Sequence, residues 1–157
     1  MNHGISRIVC TLAIALAAAA THAADVGPAV RQPSASERID LAREAIKKQD
    51  WRRSLAELNL AVREEPRNAD VHNLLGYTYR KQATPNLPKA FEHYKTALSL
   101  NPKHKGAHEY VGEAYLMDKK PQEAEKHLAE LEKICGNKTC EEYADLAKAL
   151  ADYKAKN

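Results

Sequence analysis

The chain repeats itself with a period of 36 residues, and that period constrains its fold more than any single motif. Residues 54–68, "SLAELNLAVREEPRN", align with residues 89–103, "KAFEHYKTALSLNPK", when Pro66 is set on Pro102, a shift of 36. The same shift carries Ser54 onto Ala90, Leu58 onto Tyr94 and Ala61 onto Ala97. A second stretch obeys it independently: "HNLLGYTYR" from His72 falls on "HEYVGEAYL" from His108, with Gly76 on Gly112 and Tyr79 on Tyr115. Self-similarity at a fixed period of roughly 20 to 50 residues marks an architecture of stacked units, none of which buries its apolar face alone.

The units are helical. Beyond Ser36 the chain is dense in Ala, Leu, Glu, Lys and Arg, and its apolar residues recur three and four apart, the spacing of amphipathic helices. No stretch alternates with a period of two for long enough to make a strand, so the class is all-α. Capping boxes are expected at Ser34 with Glu37 and at Thr139 with Glu142. Pro66, Pro85, Pro88, Pro102 and Pro121 fall at the expected helix boundaries, where a missing backbone N–H does least harm.

Small residues at Ala42, Gly76, Ala90, Ala97 and Gly112, with large ones at Leu58, Tyr79, Tyr94, Tyr115 and Leu128, resemble the tetratricopeptide repeat. The resemblance implies an α-solenoid of three helix hairpins, at about 35–68, 69–104 and 105–137. Leu41, Ala42, Ala45, Ser54, Leu58, Ala61 and Pro66 carry the pattern in the first. The second is carried by His72, Leu75, Gly76, Tyr79, Ala90, Tyr94, Ala97 and Pro102, and the third by His108, Val111, Gly112, Tyr115, Ala124 and Leu128. Three departures stand out: "QATPNLPKA" lengthens the second turn by two residues, Arg38 stands where later repeats have His72 and His108, and Gly136 replaces the third terminal proline. A capping helix is expected at about 140–155, with Tyr143, Leu146, Leu150 and Tyr153 on one stripe, because a solenoid must cover its last open face.

In this family the first helix of each hairpin lines a concave groove that takes a peptide of a partner protein. Carried over position by position, the groove residues are Arg43 and Lys47, then Asn73, Tyr77, Arg80 and Lys81, then Glu109, Glu113 and Leu116. The groove is expected to be basic at one end and acidic at the other. The family's carboxylate clamp is not expected, because Gly106 and Tyr110 stand where its third repeat brings basic residues.

The N-terminus predicts the compartment. Arg7 precedes the apolar run "IVCTLAIALAAAA", which is shorter than the roughly 20 residues of a membrane span. Small residues follow in "THAAD", so residues 1–23 read as a secretory signal cleaved after Ala23, with Ala24 the close alternative. Residues 24–35, rich in Pro, Gly and Ser, read as a flexible leader, and 36–157 as the repeat domain. The expected destination is the periplasm, without a stable membrane anchor after cleavage. Loss of the signal removes Cys10 and leaves Cys135 and Cys140, which in an oxidising compartment are expected to form a disulfide.

The formal charge of +3 is interspersed rather than blocked, so nothing calls for nucleic acid or an anionic membrane. There is no Gly-rich phosphate loop, nucleophile elbow or metalloprotease helix, so no enzyme and no cofactor are expected. His104 and His108 have the four-residue spacing of a zinc or copper pair, but no acidic residue or cysteine completes a set nearby. The sequence therefore reads as an exported adaptor, periplasmic or secreted, for a partner protein or peptide, and the family resemblance implies a role in the assembly of an envelope complex. The competing readings are a metal- or redox-handling protein using His104 with His108 or Cys135 with Cys140, and a homo-oligomer whose groove holds its own leader.

Overall fold

A computed structural model describes residues 31–157, so the signal and most of the leader lie outside the described residues. Seven helices follow one another: α1 (Ala35–Lys47), α2 (Trp51–Glu64), α3 (Ala69–Lys81), α4 (Leu87–Leu100), α5 (Lys105–Met117), α6 (Pro121–Cys135) and α7 (Glu141–Lys156). Among the described residues there is no strand, and no helix is long and apolar enough to cross a membrane. Helices α1 with α2, α3 with α4 and α5 with α6 form hairpins, each packed on the next, and α7 closes the row against α5 and α6. The all-α solenoid expected from the 36-residue period is the observed fold.

Helix starts follow side-chain chemistry. Ser34 makes the full capping box with Glu37, and Asp50, Asn68 and Asn86 each accept a backbone N–H from the first turn of α2, α3 and α4. His104 does the same for α5 through its ring, and Pro121 opens α6 with no side-chain cap at Lys120. The expected box at Thr139 is not formed. The backbone N–H and the hydroxyl of Thr139 both donate to Asn137 Oδ1 at 2.9 Å, which holds it in the loop and leaves Cys140 as the N-cap.

The two short turns share a device that the sequence pattern did not announce. Gln49 and Lys119 adopt positive φ, 56° and 58°, where glycine is the usual choice. Asp50 N–H bonds Ala45 C=O at 2.8 Å and Lys120 N–H bonds Tyr115 C=O at 2.8 Å, closing a Schellman turn at each helix end. The two additional residues of the second hairpin remove this turn. Its longer loop is tied instead by Asn86 N–H to Tyr79 C=O at 2.9 Å.

The core runs between successive hairpins. Ile39, Ala42, Leu58, Ala61, Val71 and Leu75 join the first hairpin to α3; Ala90, Tyr94, Val111 and Ala114 join the second to α5. Leu116, Ala124 and Leu150 anchor the closing helix. Fully burying a Leu or Tyr side chain contributes about 1.5–3 kcal/mol, so Leu58, Leu75, Tyr94, Leu131 and Leu146 carry a large share of the apolar stabilisation. Both glycines of the repeat serve close approach. A Cβ on Gly76 would lie 2.6 Å from the Tyr94 ring, and one on Gly112 would lie 2.6 Å from Leu146 of α7. The glycine of the third repeat thus makes room for the closing helix.

Polar groups are matched at the repeat boundaries as well. Arg38 is buried, its Nε donating to Glu64 at 3.1 Å and its guanidinium to Glu57 at 3.2 Å. His72 and His108, at the equivalent position, bridge to the preceding hairpin instead: their Nε2 atoms lie 3.0 Å from the carbonyls of Pro66 and Pro102. A carbonyl only accepts, so each Nε2 carries the proton and each Nδ1 is left to accept. His93 Nδ1 stands 3.2 Å from His72 Nδ1, and His127 Nδ1 stands 2.9 Å from His108 Nδ1, so these two rings donate. Tyr79 stacks on His93 and Tyr115 on His127, completing the same three-ring group in two repeats.

Candidate functional site

The first helices of the hairpins, α1, α3 and α5, supply the candidate groove, and two clefts open along it. One, of about 490 Å³, is lined by Ile46, Lys47, Gln49, Trp51, Tyr77 and Lys81. The other, of about 410 Å³, is lined by Arg80, Lys81, Glu113 and Leu116 together with Tyr153 and Asp152 of α7. Lys81 borders both, so the clefts adjoin at the end of α3. Six of the nine expected groove residues line them: Lys47, Tyr77, Arg80, Lys81, Glu113 and Leu116.

Between the clefts stands an aromatic and cationic cluster. The Tyr77 and Tyr110 rings lie 4.8 Å apart, and the Arg80 guanidinium sits 5.5 Å from one and 5.7 Å from the other, within cation–π range. Trp51 approaches Tyr77 at 6.4 Å, and Lys81 Nζ lies 6.0 Å from the same ring. Arg80 is only 5% exposed; it pairs with Glu113 across to α5 and donates to Tyr94 Oη at 3.4 Å. Burial works against its charge, but Tyr94 and Glu113 outweigh burial and raise its pKa. The Tyr77 and Tyr110 hydroxyls are both pushed up, by burial first.

The expected set divides by depth. Arg43, Lys47 and Lys81 are exposed, Tyr77 and Glu113 are half-buried, and Asn73, Arg80, Glu109 and Leu116 are buried. Arg43 pairs with Asp40 at 3.3 Å and Lys47 with Glu44 at 2.7 Å, so the α1 end is less basic than its two cations suggest. At the other end the carboxyl of Glu109 is pushed up to about 8 by burial and then by Glu113, Asp145 and Glu142. Tyr110 belongs to the cluster but was absent from the expected groove set. Its sequence signal was available, since it stands beside Glu109, one period from Leu74, and three residues before Glu113, the counterpart of Tyr77.

His104 and His108 do not converge. His104 Nδ1 accepts from Ala107 N–H at 3.2 Å while its Nε2 meets Asp70 at 2.9 Å, and His108 is engaged with His127 and Pro102. The four-residue spacing serves two separate structural jobs. Cys135 and Cys140 are joined in a disulfide at the junction of α6 and α7. Among the described residues, Cys135, Cys140 and Glu142 form the group close enough to hold a metal ion, but the sulfurs are bonded to each other and offer no thiolate.

Helix hairpins stacked in one direction, with a groove made by the first helix of each, define a helical-repeat interaction scaffold. The tetratricopeptide-repeat family matches residues 39–103 and 86–138, and the chain belongs to that family. Domains of this family generally bind protein partners. No curated protein matches the chain.

Proposed function

We propose that this protein is an exported, periplasmic adaptor that holds an extended or helical segment of a partner protein in the groove of α1, α3 and α5, and that it serves in the assembly of an envelope complex. The observation that carries the reading is the Tyr77–Tyr110–Arg80 cluster set between two adjoining clefts. Tyrosine and arginine fixed by packing give contact area and hydrogen bonding at small entropic cost, the property of binding hot spots. The Cys135–Cys140 bond supports export, because such bonds persist in oxidising compartments.

Crosslinking capture from a periplasmic extract tests the groove. The expected result is that Tyr77→Ala with Lys81→Glu loses the captured partner, while Lys95→Glu on the outer helix α4 keeps it. Equal capture by both variants would refute the groove assignment. N-terminal sequencing of protein from the periplasmic fraction tests export, with Ala24 or Asp25 expected as the first residue.

A further inference from the structure

The acidic end of the groove has a composition that the protein does not balance by itself. Glu109 is 8% exposed, and the charged groups acting on it are Glu113 on α5, Glu142 and Asp145 from α7, and Arg80 from α3. Of the other helices packed on α5, α4 sends Tyr94 to Arg80 and α6 sends His127 to His108. Arg80 is already paired with Glu113. Among the described residues, Glu109, Glu142 and Asp145 have no ion pair and no hydrogen bond. Four carboxyl groups thus face two committed cations, Arg80 paired with Glu113 and, beside Asp145, Lys148, which donates to Asp152 at 2.8 Å.

A second observation, independent of the charges, points to the same place. Asn73 is 6% exposed, and its Oδ1 is buried without a donor. Its amide crosses from α3 onto α5, with Nδ2 3.2 Å from where a Gly106 Cβ would stand. Glu109 follows Gly106 by three residues and so lies one turn along on the same face. An orphaned buried acceptor costs about 1–3 kcal/mol, so a donor brought to it by water or by a ligand is favoured. A Cβ at 106 would press on this amide, and glycine leaves it room.

We infer that Asn73, Glu109, Glu142 and Asp145 form a subsite for a cationic side chain, lysine or arginine, carried by the partner segment in the groove. The N–H donors of that side chain reach Asn73 Oδ1 and the Glu109 carboxylate, while Glu142 and Asp145 at the mouth steer it in. Burial and like charges keep Glu109 protonated in the empty groove at neutral pH, so capture of a cation releases a proton. The inference deepens the groove reading and rests on it.

The test is an NMR titration of the purified protein with acetyl-arginine methylamide, and with the citrulline analogue of the same shape and no charge. Saturable shifts at the Asn73 side-chain amide and the Glu109 backbone are expected with arginine, with a Kd on the order of 1–10 mM for so small a ligand. Citrulline is expected to give none. Glu109→Gln, and separately the exposed Asp145→Asn, should weaken arginine binding by about tenfold and threefold. Calorimetry at pH 7 in two buffers of different ionisation enthalpy should register proton release. Absence of saturable shifts, equal shifts with citrulline, or unchanged affinity in Glu109→Gln would each overturn the subsite. If those failures coincide with partner capture that still depends on Tyr77 and Lys81, the subsite is lost and the groove reading stands.

Discussion

Acid should loosen the stack through its histidine pairs, and His127 lets the size of the effect be worked out. Burial first, and His108 second, lower its pKa from 6.5 to about 4. The unfolded chain therefore binds a proton near 6.5 while the native chain resists until about 4, so native stability is full above pH 6.5 and falls as the pH drops through that window. The gap corresponds to at most ~3.4 kcal/mol, and screening of a half-buried ring reduces it to about 2 kcal/mol. The geometry gives the reason. His127 Nδ1 already donates to His108 Nδ1 at 2.9 Å, so an added proton must sit on His127 Nε2, where burial leaves the imidazolium short of water. Glu109 acts with the opposite sign over part of the range, so the useful observable is a difference between proteins. His127→Asn keeps an N–H donor for His108 but cannot take up the proton. Urea unfolding followed by circular dichroism should show the stability of the wild type relative to this variant shrinking by about 2 kcal/mol between pH 7 and 4.5. Parallel pH profiles would refute the reasoning.

Other perturbations have equally definite expectations. Gly76→Ala places a methyl 2.6 Å from the Tyr94 ring and should cost about 1–3 kcal/mol in the same urea experiment. Lys119→Gly relieves a positive φ of 58° and should stabilise by up to about 1 kcal/mol, whereas a loss would show the lysine side chain to be needed. The unfolded carboxyl of residue 109 ionises near 4.5 and the folded one near 8, so folding loses stability as pH rises between them; Glu109→Gln should gain about 2 kcal/mol at pH 8 after allowance for screening, and almost nothing at pH 4.5. Reducing Cys135–Cys140 opens a small loop and should lower stability by about 2 kcal/mol, seen as a lower urea midpoint in reductant.

The fold was legible because a repeat states each packing choice more than once. Gly76, Gly112, Tyr79 and Tyr115 define their helices by recurrence, and the two-residue excess at "QATPNLPKA" appears as the longer α3–α4 loop. The closing helix was legible from a single stripe because Leu146 and Leu150 must be buried. The site was less legible. Helical spacing gives the face a residue occupies but not its depth, so Arg80 and Asn73 read like Arg43 although stacking of α5 buries the first two and leaves the third in solvent. His93 and His127 escaped because each lies beside a core position, Tyr94 or Leu128, and their meaning depends on a ring supplied by the neighbouring helix. Thr139 satisfied the pattern of a capping box, but a turn built around Asn137 competed for its hydroxyl and prevailed.

Trp51 is the single tryptophan of the chain, and it stands at the edge of one cleft, 6.4 Å from Tyr77. The molecule therefore carries a built-in optical gauge. Its ultraviolet emission originates almost wholly from the place where the first residue of α2 meets α3, fed by excitation passed on from the adjacent tyrosine. A segment entering the groove, or a separation of those two helices, changes the polarity around the indole and the efficiency of that transfer, so occupancy can be followed in unlabelled protein, in real time and at micromolar concentration.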